Sequence, residues 1–134
     1  MGEILFKAKR IDNGEWVEGC LFDGAKFCVI GNVIKFSPYI KHEQKIVGFI
    51  VDKETLCQYT GLTDRNDQKI WENDICIIEN GTTFDDEDGY FEVGFDEDSA
   101  RFILDGDGLT VDFDYIYSND TEVVGNIFDN PELL

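Results

Sequence analysis

Short segments in which apolar and polar residues alternate, separated by turn-forming residues, run through the whole 134-residue chain. The alternation is clearest from residue 109 to 117, where every odd position is apolar and Asp112 and Asp114 lie between them. Because successive side chains of a strand point to opposite faces, this period of two predicts a half-buried strand with both aspartates in solvent. The predicted buried face consists of Leu109, Val111, Phe113, Tyr115 and Tyr117.

The segment from residue 90 to 96 alternates in the same way. Glu92 and Asp96 fall on one face of this predicted strand. Their carboxylates are expected in solvent, as is usual for an antiparallel sheet that has its other face on a core. That other face is apolar and consists of Phe91, Val93 and Phe95.

Turn signals recur at hairpin spacing, among them Asp12-Asn13-Gly14, Gly31-Asn32 and Asp105-Gly106-Asp107-Gly108. No segment of ten or more residues has helical periodicity, although Lys53–Tyr59 is long enough for one or two helical turns. The predicted fold class is therefore all-β, mainly antiparallel, with minor helix. The predicted strands are Ile4–Arg10, Glu15–Phe22, Lys26–Ile30, Ile46–Val51, Asp74–Glu79, Tyr90–Asp96, Arg101–Leu104, Leu109–Tyr117 and Glu122–Phe128.

The charge of the chain changes abruptly near residue 58. Residues 1–58 contain eight Lys or Arg and eight Asp or Glu, whereas residues 59–134 contain three and 21. The whole net charge of −18 therefore belongs to the C-terminal part. With no flexible linker in between, we expect two packed lobes, 1–58 and 59–134. The acidic lobe would repel free nucleic acid, so we do not expect free nucleic acid as a partner.

Composition narrows the class of protein. A chain with 43% hydrophobic and 13% aromatic residues is too apolar to be disordered. No apolar run approaches a membrane span and no signal-peptide core follows Met1, so we expect a soluble cytoplasmic protein. Reducing conditions and the absence of any CxxC spacing predict four free thiols, without disulfide or zinc. The cysteines are Cys20, Cys28, Cys57 and Cys76.

The sequence contains no arrangement of residues that indicates catalysis. His42 is the only histidine and lies in a polar segment without a neighbouring nucleophile or orienting acid. There is no phosphate-binding loop, dinucleotide fingerprint or HExxH motif. Two acidic turns approach the calcium-loop template, with Gly89 or Gly108 at position 6, but Phe84 or Ile103 then occupies position 1. We therefore expect no enzyme activity, no cofactor and no metal site.

Three blocks of sequence carry a resemblance to a known family. They are Gln58–Ile75, Glu122–Leu134 and the opening Phe6-Lys7-Ala8, and together they extend over nearly the whole chain. The chain resembles the YopX family of small phage and prophage proteins. That resemblance implies a β-rich fold, an SH3-like barrel in the C-terminal lobe, and a phage- or prophage-encoded protein in a bacterial cytoplasm. It implies no catalytic residues and no established activity.

The chain departs from the usual pattern of that family at two positions. Asp67 and Asn73 stand where glycine is usual. Asn and Asp accept the left-handed backbone region better than other non-glycine residues, so both turns are expected to be retained.

The first functional hypothesis is a non-catalytic module that binds a protein with a basic surface through outward-facing acids. The candidate residues are Glu92, Asp96, Asp112 and Asp114. A sharper alternative is a DNA mimic that blocks a host nucleic-acid-binding protein. A third is a small nucleic-acid-binding barrel that uses the cations of the first lobe, and the oligomeric state, including a homo-oligomer, stays open. Those cations are Lys7, Lys9, Arg10, Lys41 and Lys45.

Overall fold

The fold is described from a computed structural model that covers residues 4–24, 28–35, 44–78, 90–106, 109–113 and 119–134. Within these ranges, the strands pair only in antiparallel fashion and the helical content is limited to two 3₁₀ turns and residue 119. The all-β, mainly antiparallel fold class is confirmed. The chain divides into two compact units, Met1–Gln58 and Tyr59–Leu134.

The strands are numbered in chain order. They are β1 (Phe6–Lys9), β2 (Trp16–Asp23), β3 (Cys28–Lys35), β4 (Gln44–Ile50), β5 (Cys57–Thr63), β6 (Lys69–Trp71), β7 (Asp74–Ile78), β8 (Tyr90–Asp96), β9 (Arg101–Gly106), β10 (Leu109–Asp112) and β11 (Thr121–Asn126). The 3₁₀ turns are Lys53–Thr55 and Pro131–Leu133.

The first unit is a meander in which β1 to β4 pair with their neighbours in sequence and β1 also pairs with the start of β5. The predicted Asp12-Asn13-Gly14 turn joins β1 to β2, and Gly14 adopts a φ of +72°, which favours glycine. The side chain of Asn13 supports this turn by accepting a hydrogen bond from the Glu15 amide at 2.9 Å. The core of this unit consists of Ala8, Cys28, Ile30 and Val51.

A 3₁₀ turn lies between β4 and β5. The Asp52 carboxylate accepts a hydrogen bond from the Glu54 amide and caps the turn. Thr55 Oγ1 accepts from the Lys9 amide at 2.8 Å, which fixes the turn against β1. Of the one or two helical turns considered for Lys53–Tyr59, a single 3₁₀ turn at residues 53–55 is present, and residues 57–59 belong to β5.

The turn predicted at Gly31-Asn32 is wrong, because both residues lie inside β3. Gly31 pairs with Gly48 across the sheet. A Cβ atom at Gly48 would lie 2.3 Å from the carbonyl oxygen of Ile30. Gly48 therefore permits close approach of β3 and β4, which is a packing role for a glycine inside a strand.

The second unit has a five-stranded sheet in the order β10-β9-β8-β7-β11, and residues 59–63 of β5 pair with β6. In the described ranges this sheet is not closed into a barrel, because no pairing joins β10 to β11, but the arrangement is broadly consistent with the small SH3-like barrel expected for this unit. The outer side of β11 makes other contacts. Thr121 O accepts from the Arg65 amide, and the Val123 amide donates to the Asp64 carboxylate.

The predicted face of residues 109–117 is confirmed where it is described. Phe113 is buried in the core of the second unit, Val111 packs against that core, and Asp112 is exposed. The strand β10 itself ends at Asp112. The side chain of Leu109 and the whole of Asp114, Tyr115 and Tyr117 lie outside the described residues.

The core of the second unit is formed mainly by alternate residues of β7, β8 and β9. Phe91 and Val93 are buried as predicted, whereas Phe95 on the same face remains 43% exposed and packs edge-on against Phe102. The buried residues are Ile70, Cys76, Phe91, Val93, Leu104 and Phe113.

Candidate functional site

The outer face of β8, β9 and β10, opposite the core, carries most of the predicted site residues. Cross-strand pairing places Glu92 directly opposite Asp105 and Asp96 directly opposite Arg101. Asp112 follows on β10, opposite Ile103. We refer to the surface formed by Glu92, Asp96, Asp105 and Asp112 as the acidic face.

Glu92 is half-buried rather than fully in solvent as expected. Burial raises the pKa of its carboxyl above the ordinary value, and the negative charge of Asp105 raises that pKa further. Two acids that directly oppose one another on adjacent strands are mutually destabilising. The Glu92–Asp105 pair is thus the point of the acidic face where an approaching cation would relieve the most repulsion.

Asp105 is exposed, and sequence reasoning missed it as a site residue. The Asp105-Gly106 dipeptide predicts a turn at this position, but β9 continues through Gly106. A Cβ atom at Gly106 would lie 2.4 Å from the carbonyl oxygen of Tyr90, so this glycine serves close strand packing. The Thr110 hydroxyl donates to the Asp105 carboxylate at 3.3 Å.

Asp96 organises the turn that follows β8. Its carboxylate accepts hydrogen bonds from the Ser99 hydroxyl at 2.7 Å and from the Asp98 amide at 3.1 Å. The hydrogen bond from Ser99 is the largest cause that lowers the pKa of Asp96. The turn also contains Ala100 at a φ of +54°, a left-handed conformation that such local hydrogen bonds help to hold. Asp96 therefore has a structural role in addition to its place on the acidic face.

Asp112 forms an exposed ion pair with Arg101 at 2.8 Å. The other two cations of the second unit are also engaged, because Arg65 pairs with Glu122 and Lys69 lies over the Tyr59 ring. The three positive charges of this unit are thus engaged in local contacts. Asp114, the remaining predicted site residue, lies outside the described residues.

The polar residues of the block Gln58–Ile75 build the fold. Asp64 is buried, and its carboxylate accepts from the amides of Asn66, Gln68 and Val123. This single side chain therefore holds the 64–68 turn and ties it to β11, so that the block Gln58–Ile75 contacts the block Glu122–Leu134. Each bond to a charged acceptor contributes about 1.5–3 kcal/mol when buried.

A second contact between the blocks centres on the turn before β7. The Asp74 carboxylate accepts from the Trp71 amide at 2.8 Å, and Asn73 O accepts from the Ile127 amide at 3.0 Å. Asn73 and Asp67 have φ values of +73° and +60°. Both residues therefore adopt the left-handed conformation expected where the family pattern has glycine.

The remaining residues considered for catalysis or metal binding form no catalytic or metal site in the described part of the chain. His42 and both calcium-like turns fall wholly or partly outside it. The four cysteines are free thiols, of which Cys20 is exposed and the others are buried. Burial raises the pKa of the Cys76 thiol strongly. Across the same residues, no group of three or more His, Cys, Asp or Glu side chains is placed to hold a metal ion.

Comparison with known proteins identifies the family and a structural relative. The family model described as "YopX protein" matches residues 5–134. The crystal structure of protein EF1440 from Enterococcus faecalis is similar, with a TM-score of 0.65 and 25% sequence identity over 100% of this chain and 99% of that one. No curated protein matches the chain. Among the described residues, no helix has both the length and the apolar character needed to cross a membrane.

Proposed function

We propose that this chain, which belongs to the YopX family, is a non-catalytic module that binds a protein partner through the acidic face of its second unit. The observation that carries the proposal is the Glu92–Asp105 pair, two acids directly opposite one another on adjacent strands. The partner presents a basic surface. The setting is a bacterial cytoplasm in which a phage or prophage encodes the protein.

The charge distribution supports a role in steering association. The second unit has 21 acids and three cations, and those cations already make local contacts. A surface of one sign raises the rate at which an oppositely charged partner arrives, more than it raises the final affinity. Salt removes this effect as the screening length falls from about 10 Å at 0.1 M to about 3 Å at 1 M.

The detailed pattern of charges favours a partner with an ordinary basic surface over the nucleic-acid-binding protein that a DNA mimic would block. A mimic needs closely spaced negative charges in rows, because one DNA strand carries a charge about every 3.4 Å along the axis. On the acidic face the Glu92–Asp105 pair is separated from the Asp96–Arg101 pair by Gly94 and Ile103, and Arg101 also pairs with Asp112. A face on which a guanidinium interrupts the acids fits a mixed protein surface better than a phosphate-binding groove.

The nucleic-acid-binding alternative has one specific observation in its favour. On the outer side of β1 and β2, the ammonium groups of Lys7 and Lys9 lie 4.6 and 5.4 Å from the centroid of the Trp16 ring. Cations beside an aromatic ring are typical of sites for single-stranded nucleic acid. Glu18 lies directly opposite Lys7, however, which lowers the local positive charge and places this function second.

A capture experiment with matched variants tests the proposal. The full chain, the double variant E92Q/D105N and the control double variant D120N/E132Q are immobilised and exposed to bacterial lysate at low and high salt. Asp120 and Glu132 are exposed acids of the same unit, so both variants lose two negative charges. We expect a basic protein that is retained by the wild type and the control but lost with E92Q/D105N and at high salt. Retention of the same proteins by all three chains would refute the proposal.

A further inference from the structure

The turn between β1 and β2 contains two adjacent residues that can react with each other. When glycine follows asparagine, no side chain hinders the approach of the glycine nitrogen to the side-chain amide of the asparagine. In the sequence, only Asn13 and Asn80 precede glycine. Asn80 lies outside the described residues, whereas the segment 11–15 is described and exposed throughout.

Hydrogen bonds hold both reacting groups in the folded turn. The Gly14 amide, which contains the attacking nitrogen, donates to Arg10 O at 3.0 Å. The side-chain amide of Asn13, which contains the leaving nitrogen, accepts from the Glu15 amide at 2.9 Å and donates to the Glu15 carboxylate at 3.2 Å. Attack requires the Gly14 nitrogen to lose its proton, and in the closed turn that proton is bonded to Arg10 O. The reaction therefore requires the turn to open.

Access of solvent to this turn is not restricted. A Cβ atom built at Gly14 would have no heavy atom within 4 Å, and Asn13 is exposed. Water and hydroxide can reach both residues, so the hydrogen bonds of the turn are what control the rate. Exposed turns open locally at a far lower cost in free energy than unfolding of the whole protein.

We propose that Asn13 is a site of spontaneous deamidation and that opening of the β1–β2 turn controls its rate. In the open turn, hydroxide takes the amide proton of Gly14, and the nitrogen attacks Cγ of Asn13. A new C–N bond forms and the Cγ–Nδ2 bond breaks, and Nδ2 leaves as ammonia after it takes a proton from water, which restores the hydroxide. One water molecule then opens the cyclic imide at either carbonyl and gives aspartate or isoaspartate. The balance is one water consumed and one ammonia released, without oxidation or reduction.

Either product weakens the turn in which it forms. Aspartate places a carboxylate oxygen where Nδ2 of Asn13 donates to the Glu15 carboxylate, so a hydrogen bond becomes a contact between two acceptors. Isoaspartate adds one backbone carbon inside the loop that the bonds of Arg10 to Gly14 and Glu15 close. Deamidation is thus a one-way change that adds a negative charge to a unit with eight cationic and eight acidic residues.

Two rates measured in parallel on the full chain test this proposal. The chain is incubated at mildly alkaline pH, folded and in guanidinium chloride, and deamidation of Asn13 is followed by mass spectrometry of the peptide that contains it. Exchange of the Gly14 amide hydrogen is followed by NMR under the same two conditions. We expect both rates to be at least about tenfold lower in the folded chain, and by the same factor, because one opening step frees the same nitrogen for both reactions. Asn80 in the unfolded chain is the reference site for the Asn-Gly dipeptide.

Variants separate the reacting residue from the opening of the turn. Asn13→Gln should abolish the signal, since ring closure from glutamine requires a six-membered ring. Thr55→Ala removes the acceptor of the Lys9 amide and leaves the residues of the turn unchanged. It should raise deamidation of Asn13 and exchange at Gly14 by the same factor, whereas Glu132→Gln, at an exposed position of the second unit, should alter neither rate.

Three results would contradict the proposal. Equal deamidation of Asn13 in the folded and unfolded chains, with the Gly14 amide protected from exchange, would show that the reaction occurs in the closed turn. An unfolded chain in which Asn80 reacts and Asn13 does not would remove the site itself. Faster exchange at Gly14 in Thr55→Ala, without faster deamidation, would show that the two reactions do not share an opening step.

Discussion

Replacement of Asp64 tests whether the block that carries the family resemblance is primarily structural. The carboxylate is 3% exposed and accepts three backbone hydrogen bonds, from Asn66 at 2.8 Å, Gln68 at 2.9 Å and Val123 at 3.0 Å. Asp64→Ala removes all three acceptors. Asp64→Asn keeps one oxygen for the two turn amides but directs an NH₂ group at the Val123 amide, so that two donors face each other.

The expected costs follow from these contacts. Asp64→Asn leaves one buried amide without an acceptor and should lower the free energy of unfolding by about 1–3 kcal/mol. Asp64→Ala should cost more, about 3–5 kcal/mol, because three bonds to a charged acceptor are lost while water reaches the exposed turn amides and compensates in part.

Urea unfolding of the full chain measures both values, with the exposed Asp120→Asn as a control that should stay within about 0.5 kcal/mol of wild type. Hydrogen exchange adds a local readout, since the Val123 amide should lose protection in both variants. If Asp64→Asn were as stable as the control, or if Val123 stayed protected, the inferred role of Asp64 would be wrong.

Strands with a strict period of two are the part of the fold that sequence predicted well. The bounds of β8 match the prediction residue for residue, and β10 begins at the predicted Leu109. The register of Phe113 and Asp112 also holds, because a shift of one residue would bury an aspartate. A buried face thus determines register strongly enough to be read from one sequence.

Strands that depend on distant partners were missed. β5 has the sequence CQYTGLT, without clean alternation, and its start is paired with β1 some 50 positions away in sequence. Its pairing with β6 is irregular between Tyr59 and Thr63, where the Thr60 hydroxyl donates to Ile70 O. Such strands are stabilised by tertiary pairing and side-chain bonds, neither of which local propensity reports.

The candidate site was only partly predictable, because it also depends on pairing between different strands. Alternation placed Glu92 and Asp112 on the outer face, but their partners Asp105 and Arg101 follow from strand order and register. Strand order and register bring these side chains together, and the alternation pattern of a single sequence does not give strand order.

Three further substitutions test the packing and the electrostatics of the two units. Phe113→Ala should destabilise the protein by about 3–5 kcal/mol in urea unfolding, because the ring is buried in the core; a loss below 1 kcal/mol would contradict its burial. Gly48→Ala should cost about 1–3 kcal/mol or more in thermal unfolding, since its Cβ would meet the backbone of Ile30, and an unchanged melting temperature would contradict that close approach. Glu92→Gln should instead stabilise the protein at pH 7, by about 0.5 kcal/mol, by removing a half-buried charge that opposes Asp105. The pKa of Glu92 is raised by folding, so the folded state holds the proton more tightly than the unfolded chain does. The ionised side chain therefore costs stability above its folded pKa, and this cost disappears as the pH falls to the ordinary value of 4.5 and below. Urea unfolding at pH 7 and pH 4 measures the difference: the advantage of Glu92→Gln should be present at pH 7 and largely lost at pH 4, and an equal advantage at both would show that charge repulsion is not its cause.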